Sequence, residues 1–241
     1  MPGAGFADSV RLFRAFRTEQ TDPDGFYSLL AARSVRQVQR YADLAGRSVL
    51  DVGGGPGYFA DAFRAAGARY VGLDADAGEL AGRAQGPAQG SVQGSALALP
   101  FQSASIDVCY SSNVLEHVPD PWLMGEEMIR VTRPGGTVFV AFTNWLSPWG
   151  GHETSPWHYL GGQRAMRRYR RRHARSPKNV YGQSLFPVSV AGALRWARTR
   201  TDVELVDALP RYHPDWARTV LRIPGAREVL TWNLALVLRR R

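Results

Sequence analysis

Residues 48–60 hold the residue types and spacing in this sequence that most directly indicate chemistry. The segment reads SVLDVGGGPGYFA and places an acid ahead of three glycines at alternate positions: Asp51, Gly53, Gly55 and Gly57. An apolar run that ends in an acid and turns through glycines predicts a strand whose carboxyl end meets a ligand at a helix start. A dinucleotide fingerprint counted from Gly53 would need its third glycine where this chain has Tyr58. The spacing therefore argues against a pyrophosphate site.

A second acid lies at the end of the next predicted strand. The segment 68–76 reads ARYVGLDAD and brings Asp74 21 residues after Gly53. In a parallel sheet, an acid at that place lies beside the glycine turn, where its carboxylate can accept both hydroxyls of a ribose. The two segments together predict a site for a nucleoside-containing ligand.

Two further segments follow, GSALALPF at 94–101 and IDVCYSSNVLEHVPDP at 106–121. With all four in this order, residues 47–145 resemble a class I S-adenosylmethionine (SAM)-dependent methyltransferase of the type 11 group. The order of the segments is more specific than any one of them. The resemblance implies SAM as the cofactor.

The resemblance also implies a role for each matching position. Asp51 and the three glycines would hold the methionine part of SAM, through backbone amides and a water, and Asp74 would bind the ribose. Ser95 and Ala96 match the positions that contact the adenine edge, although the family usually has Asp where this chain has Ser95. A hydroxyl accepts a hydrogen bond more weakly than a carboxylate does. Asn113 matches a position that contacts the methionine end or the acceptor.

Three histidines are candidate general bases, because imidazole exchanges protons near neutral pH. His117 follows the fourth predicted strand and is the first choice, whereas His152 and His158 belong to a later insertion. We interpret Glu116 as a residue that caps or orients local structure. We expect no metal site, since the histidines do not match the H-E-x-x-H spacing and no cysteine pair exists.

The elements that must position these residues alternate between strand and helix. Helical periodicity predicts helices over 6–17 and 26–45, and strands are predicted at 48–52, 70–74, 91–93, 106–110, 136–142, 203–212 and 233–241. This alternation favours an α/β fold with right-handed parallel crossovers. The resemblance implies a Rossmann-like sheet of seven strands, with strands 1–6 parallel, strand 7 antiparallel between strands 5 and 6, and helices on both faces.

We predict a single domain over residues 1–241 with four segments. These are an N-terminal helical lid, a SAM-binding core, an acceptor and lid insertion that contains an Arg-rich segment, and the C-terminal strands: 1–45, 46–143, 144–200 and 201–241. The sequence shows no signal peptide and no spanning helix, and its single cysteine, Cys109, falls in a predicted core strand. We therefore expect a cytoplasmic protein.

The positive charge is concentrated in the second part of the chain. Residues 1–150 hold 12 basic and 15 acidic residues, whereas residues 151–241 hold 18 basic and 6 acidic residues. Within 163–182 there are seven arginines, Lys178 and no acid. Such a segment attracts anionic lipid headgroups or phosphates, and the alternative is a solvated helix face without a partner. Arg164–Lys178 could thus hold the protein at the inner membrane face.

Three functions remain open at this point, and the sequence leaves the oligomeric state open as well. The first is methyl transfer to a small-molecule or lipid-linked acceptor, with S-adenosylhomocysteine (SAH) as the product. The second is an RNA methyltransferase that grips phosphates with its arginines, although no recognisable RNA-binding module is present. The third is a non-catalytic SAM-binding module that acts through its basic surface.

Overall fold

Seven strands form one mixed sheet in the computed structural model, which describes residues 6–16, 21, 23–81 and 90–241. The strands are β1 (Ser48–Val52), β2 (Arg69–Asp74), β3 (Ser91–Gln93), β4 (Ile106–Ser112), β5 (Thr132–Thr143), β6 (Val203–Pro210) and β7 (Asn233–Arg240). Their order across the sheet is β3-β2-β1-β4-β5-β7-β6. The first five pair in parallel, and β7 pairs antiparallel with both β5 and β6. The predicted topology, with the seventh strand between the fifth and sixth, is confirmed.

Helices cover both faces of this sheet. They are α1 (Phe6–Phe16), α2 (Pro23–Val38), α3 (Ala60–Ala65), α4 (Ala77–Leu80), α5 (Pro121–Val131), α6 (Gly162–His173), α7 (Val190–Thr199) and α8 (Ala226–Leu230). The described residues also form four 3₁₀ helices, at Leu115–His117, His152–Thr154, Trp157–Leu160 and Asp215–Arg222.

Strand alternation divides the core into two layers, because successive side chains point to opposite faces of a sheet. Val49 of β1 packs in one cluster with residues of α1, α2 and α3, such as Phe63. Its neighbour Leu50 packs in the other cluster with Met128 of α5 and Leu194 of α7. Each leucine or valine buried in this way contributes about 1.5–3 kcal/mol.

Asp120 and Pro121 form the start of helix α5. The carboxylate of Asp120 accepts a hydrogen bond from the amide of Leu123, and Pro121 occupies the first turn. An acidic N-cap followed by proline is a favourable helix start, because it satisfies an amide that has no partner within the helix. This cap fixes where α5 begins.

The fifth strand is longer than its sequence predicts. A turn was predicted at 134–136 and a strand at 136–142, but β5 already begins at Thr132. Its register against β4 shifts between Ile106 and Val108, and Gly135 has a φ of +74°. Because glycine tolerates a positive φ, the segment is accommodated as an irregularity within the strand.

One helix boundary also differs from the prediction. Helix α2 ends at Val38, whereas the periodicity predicts a helix to residue 45. Helix α7 packs in the core cluster on one face of the sheet, and the division of the chain into lid, core and insertion stays a prediction. Of the predicted lid and core, residues 1–5, 17–20, 22 and 82–89 lie outside the described residues.

Cys109 lies in β4 with its side chain buried, and burial raises the pKa of its thiol. The cysteine is therefore a core residue, as its position in a predicted strand indicated.

Within the described ranges, no helix has the length and apolar character needed to cross a bilayer.

Candidate active site

The glycine loop after β1 adopts a backbone that requires glycine at two positions and leaves space at one of them. Gly53 and Gly55 have φ values of +79° and +50°. A Cβ on Gly53 would lie 2.2 Å from a methyl of Val114, whereas a Cβ on Gly55 would meet nothing within 4 Å. The loop therefore packs closely against the end of β4 at Gly53 and borders open space at Gly55.

Asp74 lies at the end of β2, directly beside this loop. Its Oδ2 accepts a hydrogen bond from the Gly55 amide at 3.0 Å, and its Oδ1 accepts one from the Asp76 amide at 3.0 Å. The residue is half-buried, so the carboxylate borders solvent. The backbone fixes this carboxylate at the carboxyl edge of the sheet, where a ribose would need it.

Asp51 is buried at the end of β1 and holds one strong hydrogen bond. The Tyr70 hydroxyl donates to its Oδ2 at 2.7 Å. Burial raises the pKa of Asp51 to about 7; the Tyr70 bond lowers it, the nearby Asp74 raises it and Arg211 lowers it. A carboxylate that is this poorly solvated gains from a cation placed beside it.

Asn113 follows β4 with a left-handed backbone, at a φ of +59°. Its side-chain oxygen accepts from the Asn233 amide at 2.7 Å, and its amide nitrogen donates to the Tyr212 hydroxyl at 3.2 Å. These contacts join the ends of β4, β6 and β7. Asn113 is thus held in a polar network at the same edge as the two acids.

Ser95 and Ala96 follow β3. Ser95 is exposed, and its hydroxyl accepts a hydrogen bond from the Leu97 amide at 3.1 Å. Ala96 is 9% exposed and packs in the core. The serine hydroxyl is therefore the polar side chain that this turn offers at the sheet edge.

These residues fit SAM in their order along the edge of the sheet. The neighbouring strands β3, β2, β1 and β4 end in the turn with Ser95, in Asp74, in the glycine loop and in Asn113. The resemblance assigns these positions, in the same order, to the adenine, to the ribose, to the methionine part, and to the methionine end or the acceptor. The open side of Gly55 and the poorly solvated Asp51 carboxylate suit a ligand that carries positive charge.

Helix α2 contacts the glycine loop through the ring of Tyr27. The Tyr27 ring stacks on Tyr58 of the glycine loop at 4.6 Å, with the ring planes 10° apart. The same helix contributes Phe26 and Leu30 to the core. The first turns of α2 thus adjoin the candidate site and also contribute to the core layer beneath.

Two of the three histidine candidates come together with a glutamate. Glu116 and His117 lie just after β4, His152 lies after β5, and one ligand atom of each is within 4.8 Å of the others. Burial lowers the pKa of His152, and Glu116 opposes this while His117 adds to it. Glu116 accepts from the Thr143 amide at 2.8 Å, as expected of a residue that orients local structure. The H-E-x-x-H spacing on which the prediction of no metal site rests does not describe this cluster.

His158 lies elsewhere, in the interior of the insertion. It is 1% exposed, and its Nε2 is 3.1 Å from the Ser147 carbonyl oxygen. The Trp145 ring packs against it at 5.3 Å, and burial lowers the pKa of the imidazole. A ring enclosed in this way is not accessible to an acceptor in this structure.

One charged residue at this edge was not predicted from the sequence. Arg211 follows β6, is 2% exposed, and donates to four side chains: Gln37, Ser112, Ser34 and Tyr110. Its carbonyl oxygen accepts from Gln37 and Arg33 of α2. The guanidinium therefore ties α2 to the ends of β4 and β6. No motif marks it, since its partners are dispersed along the chain.

The insertion carries a stripe of arginines along one face of α6. The spacing of these residues is helical: Arg164, Arg167, Arg168, Arg171 and Arg172. With Trp157 and Leu160 they line an open groove of about 630 Å³, and the Arg168 guanidinium lies 3.8 Å from the centre of the Trp157 ring. The opposite side of α6 buries Ala165 and Met166. The groove thus combines positive charge with exposed apolar surface.

Comparison with known proteins agrees with the fold and the motifs. The methyltransferase-domain family matches residues 50–140. An uncharacterized methyltransferase from Mycolicibacterium gilvum is 54% identical over 98% of this chain and 95% of its own length. One from Mycobacteroides abscessus is 52% identical over 97% of this chain and 94% of its own length. A SAM-dependent methyltransferase from Mesorhizobium loti has a similar structure, with a TM-score of 0.61 at 21% identity, covering 90% of this chain and 99% of that one. The chain therefore belongs to the class I SAM-dependent methyltransferases, in the type 11 group.

Proposed function

We propose that the protein transfers the methyl group of SAM to a small-molecule or lipid-linked acceptor with an apolar part and an anionic part, and that SAH is the product. The observation that carries this proposal is the α6 groove. Five arginines there lie beside Trp157, which is 43% exposed, and Leu160, which is 60% exposed. A groove of this composition suits an anionic group joined to an apolar chain or ring.

The groove and His152 of the candidate site belong to the same insertion, which follows β5. The chain leaves β5 at Thr143, passes His152 and reaches the groove at Trp157 and α6. An acceptor held at the groove would therefore be tied to the segment that carries His152. In this fold, insertions at the carboxyl ends of strands border the ligand crevice.

Methyl transfer from SAM depends more on aligning the acceptor with the methyl group than on acid–base catalysis. SAM supplies a methyl group on a sulfonium, which is a good leaving group. Asp74 would bind the ribose and Asp51 would stabilise the positive charge at the methionine end. Positioning of this kind can lower a barrier by about 7–11 kcal/mol. His117 or His152 would accept the proton of a hydroxyl or ammonium acceptor, a contribution of about 10²–10⁴-fold.

The first experiment is a transfer assay that uses methyl-labelled SAM and a host-cell extract separated into lipid, RNA, protein and small-molecule fractions. The blank is Asp74→Ala, which removes the ribose carboxylate. Label in the lipid or small-molecule fraction, above the blank, is the expected result. Label in RNA would replace the proposal with an RNA methyltransferase. Bound SAM with no label in any fraction would favour a non-catalytic module.

A second experiment tests the proposed attachment to an anionic membrane surface. Sedimentation with vesicles that contain anionic lipid should detect binding that weakens as salt is raised, because the attraction is electrostatic. Arg167→Gln/Arg171→Gln should lose this binding while keeping its SAM affinity. The matched control is Arg195→Gln/Arg198→Gln, which removes the same charge from exposed positions on α7. Equal binding by both double variants in low salt would contradict a specific role for α6.

A further inference from the structure

The cluster of Glu116, His117 and His152 joins two segments at the carboxyl edge of the sheet. The first two residues lie in the 3₁₀ helix after β4, and the third begins the 3₁₀ helix after β5. The two imidazole rings are 5.0 Å apart at 80° to one another. One nitrogen of each ring and one glutamate oxygen lie within 4.8 Å of one another.

Glu116 brings a buried oxygen without a partner into this cluster. The residue is 1% exposed, and its Oε1 accepts the Thr143 amide. Its Oε2 is buried and has no hydrogen-bond partner among the described residues. An unsatisfied carboxylate oxygen in the interior is unfavourable, and a cation bound there would remove that cost.

Both histidines have one ring nitrogen held by the backbone. The Nδ1 of His117 is 2.7 Å from the Ser184 carbonyl oxygen, and the Nδ1 of His152 is 3.3 Å from that of Gly150. Since a carbonyl oxygen can only accept, each Nδ1 carries the proton. In the neutral form of the imidazole, each Nε2 then presents a lone pair. Histidines that bind metals are usually oriented in this way by a carbonyl or carboxylate.

The packing around His152 fixes its position, and its backbone conformation is rare for a residue other than glycine. Its φ is +49°, in the left-handed region that residues other than glycine seldom adopt. The chain beside it is confined as well, because a Cβ on Gly151 would lie 2.5 Å from the His158 ring. The packed interior of the insertion thus fixes the position from which His152 approaches Glu116 and His117.

We propose that Glu116, His117 and His152 bind a divalent first-row transition-metal ion. Two imidazoles and one carboxylate suit Zn²⁺ and its neighbours, whereas Mg²⁺ prefers oxygen ligands. Bond lengths of about 2.0–2.2 Å draw the ligands of a tetrahedral ion to roughly 3.5 Å from one another. The cluster must therefore contract when it binds the ion. Three protein ligands leave a position for a further ligand.

If the further ligand is the hydroxyl of the acceptor, the ion takes part in the reaction. When the ion is bound, His117 and His152 are ligands rather than bases, and a hydroxyl coordinated to the ion loses its proton to water. The resulting oxygen anion is the better nucleophile for a methyl group. This use rests on the proposed function. The binding of the ion does not, because it depends only on three side chains of this protein. The two inferences can therefore fail separately.

Zn²⁺ alone is the probe. The full-length protein is stripped with a chelator, and Zn²⁺ uptake is measured at pH 7.5 by competition with a chromophoric chelator, without SAM or acceptor. The wild type should take up about one ion per chain. His117→Ala, His152→Ala and Glu116→Gln should each weaken binding by roughly 100-fold or more, since loss of a secondary contact alone costs about 10–100-fold. His173→Ala is the matched control, because His173 is exposed at the end of α6.

Glu116→Gln keeps an oxygen that can accept from the Thr143 amide, so it tests the charge with little change in the fold. If a variant unfolds, the absorption spectrum of Co²⁺ bound to the wild type decides between four-coordinate binding with nitrogen and oxygen ligands and surface binding. No uptake by the wild type, or equal uptake by the three cluster variants and His173→Ala, would overturn the proposal. In that case the cluster would act only as a metal-free proton acceptor.

Discussion

Asp51→Asn is the substitution that most sharply tests how the site uses its buried charge. The folded protein raises the pKa of this carboxyl from 3.8 to about 7, chiefly through burial. A raised pKa means that the folded state holds the proton more tightly than the unfolded state does. The contribution to stability is therefore complete at low pH and is lost as the pH rises towards 7.

The size of the effect follows from the two pKa values. At about 1.4 kcal/mol for each pH unit, a change from 3.8 to about 7 amounts to about 4 kcal/mol above neutral pH. Between pH 5 and pH 8 the loss is about 2–3 kcal/mol. The amide introduced by Asp51→Asn would carry no titrating charge and could still accept from the Tyr70 hydroxyl. The variant should therefore be the more stable protein at pH 8, and its advantage should shrink at pH 5.

The assay is urea unfolding of both proteins at several pH values from 5 to 8, with calorimetric titration of SAM at pH 7.5. Loss of a charge-assisted contact of about 1.5–3 kcal/mol should weaken SAM about 10- to 100-fold in Asp51→Asn. Asp61→Asn is the control, because that acid is 74% exposed in α3. A difference in stability that does not change with pH, or a variant less stable than wild type at pH 8, would refute this account of Asp51.

Three other substitutions test the architecture around the site. Gly53→Ala should destabilise the protein by about 2–4 kcal/mol in urea unfolding, from contact with Val114 and from the positive φ; adding Val114→Ala should restore only the first part. Asp74→Ala should weaken SAM binding severely in a titration, whereas Asp76→Ala, which removes a neighbouring exposed acid, should not. Arg211→Met should cost about 2–4 kcal/mol and raise hydrogen exchange in α2, because its polar partners lose their donor.

Each of these three predictions has a result that would contradict it. Wild-type stability in Gly53→Ala would mean that the loop relaxes away from β4. Wild-type SAM affinity in Asp74→Ala would show that another residue binds the ribose. Unchanged exchange in α2 after the Arg211 substitution would show that apolar packing alone holds this helix on the sheet.

The sheet could be predicted because its information is local. Residues 48–52 and 70–74 each combine an apolar run with a turn or an acid at the carboxyl end, and both form strands at those positions. Helix ends were less predictable. Residues 39–45 continue the apolar periodicity of α2, but the chain turns after Val38 to enter β1, and tertiary packing overrides the helical pattern.

The candidate site could be predicted only in part, for the same reason. The glycine loop and Asp74 are adjacent through neighbouring parallel strands, so the order of segments along the chain was enough to pair them. His152 reaches Glu116 through the path of an irregular insertion, which no periodicity describes. His158 is six residues further along and is enclosed in that insertion. Sequence spacing alone could not distinguish these two histidines.

The position of β7 has a consequence for the order in which the chain can fold. Strand β5 pairs on one side with β4 and on the other with β7, which is separated from it by residues 144–232. At synthesis rates of about 5–20 residues per second, the residues between β5 and β7 take about 5–20 s to be synthesised. During this interval the second edge of β5 is unpaired, and unpaired strand edges promote aggregation. We infer that a nascent chain stalled before β7 depends on chaperones more than the finished protein does.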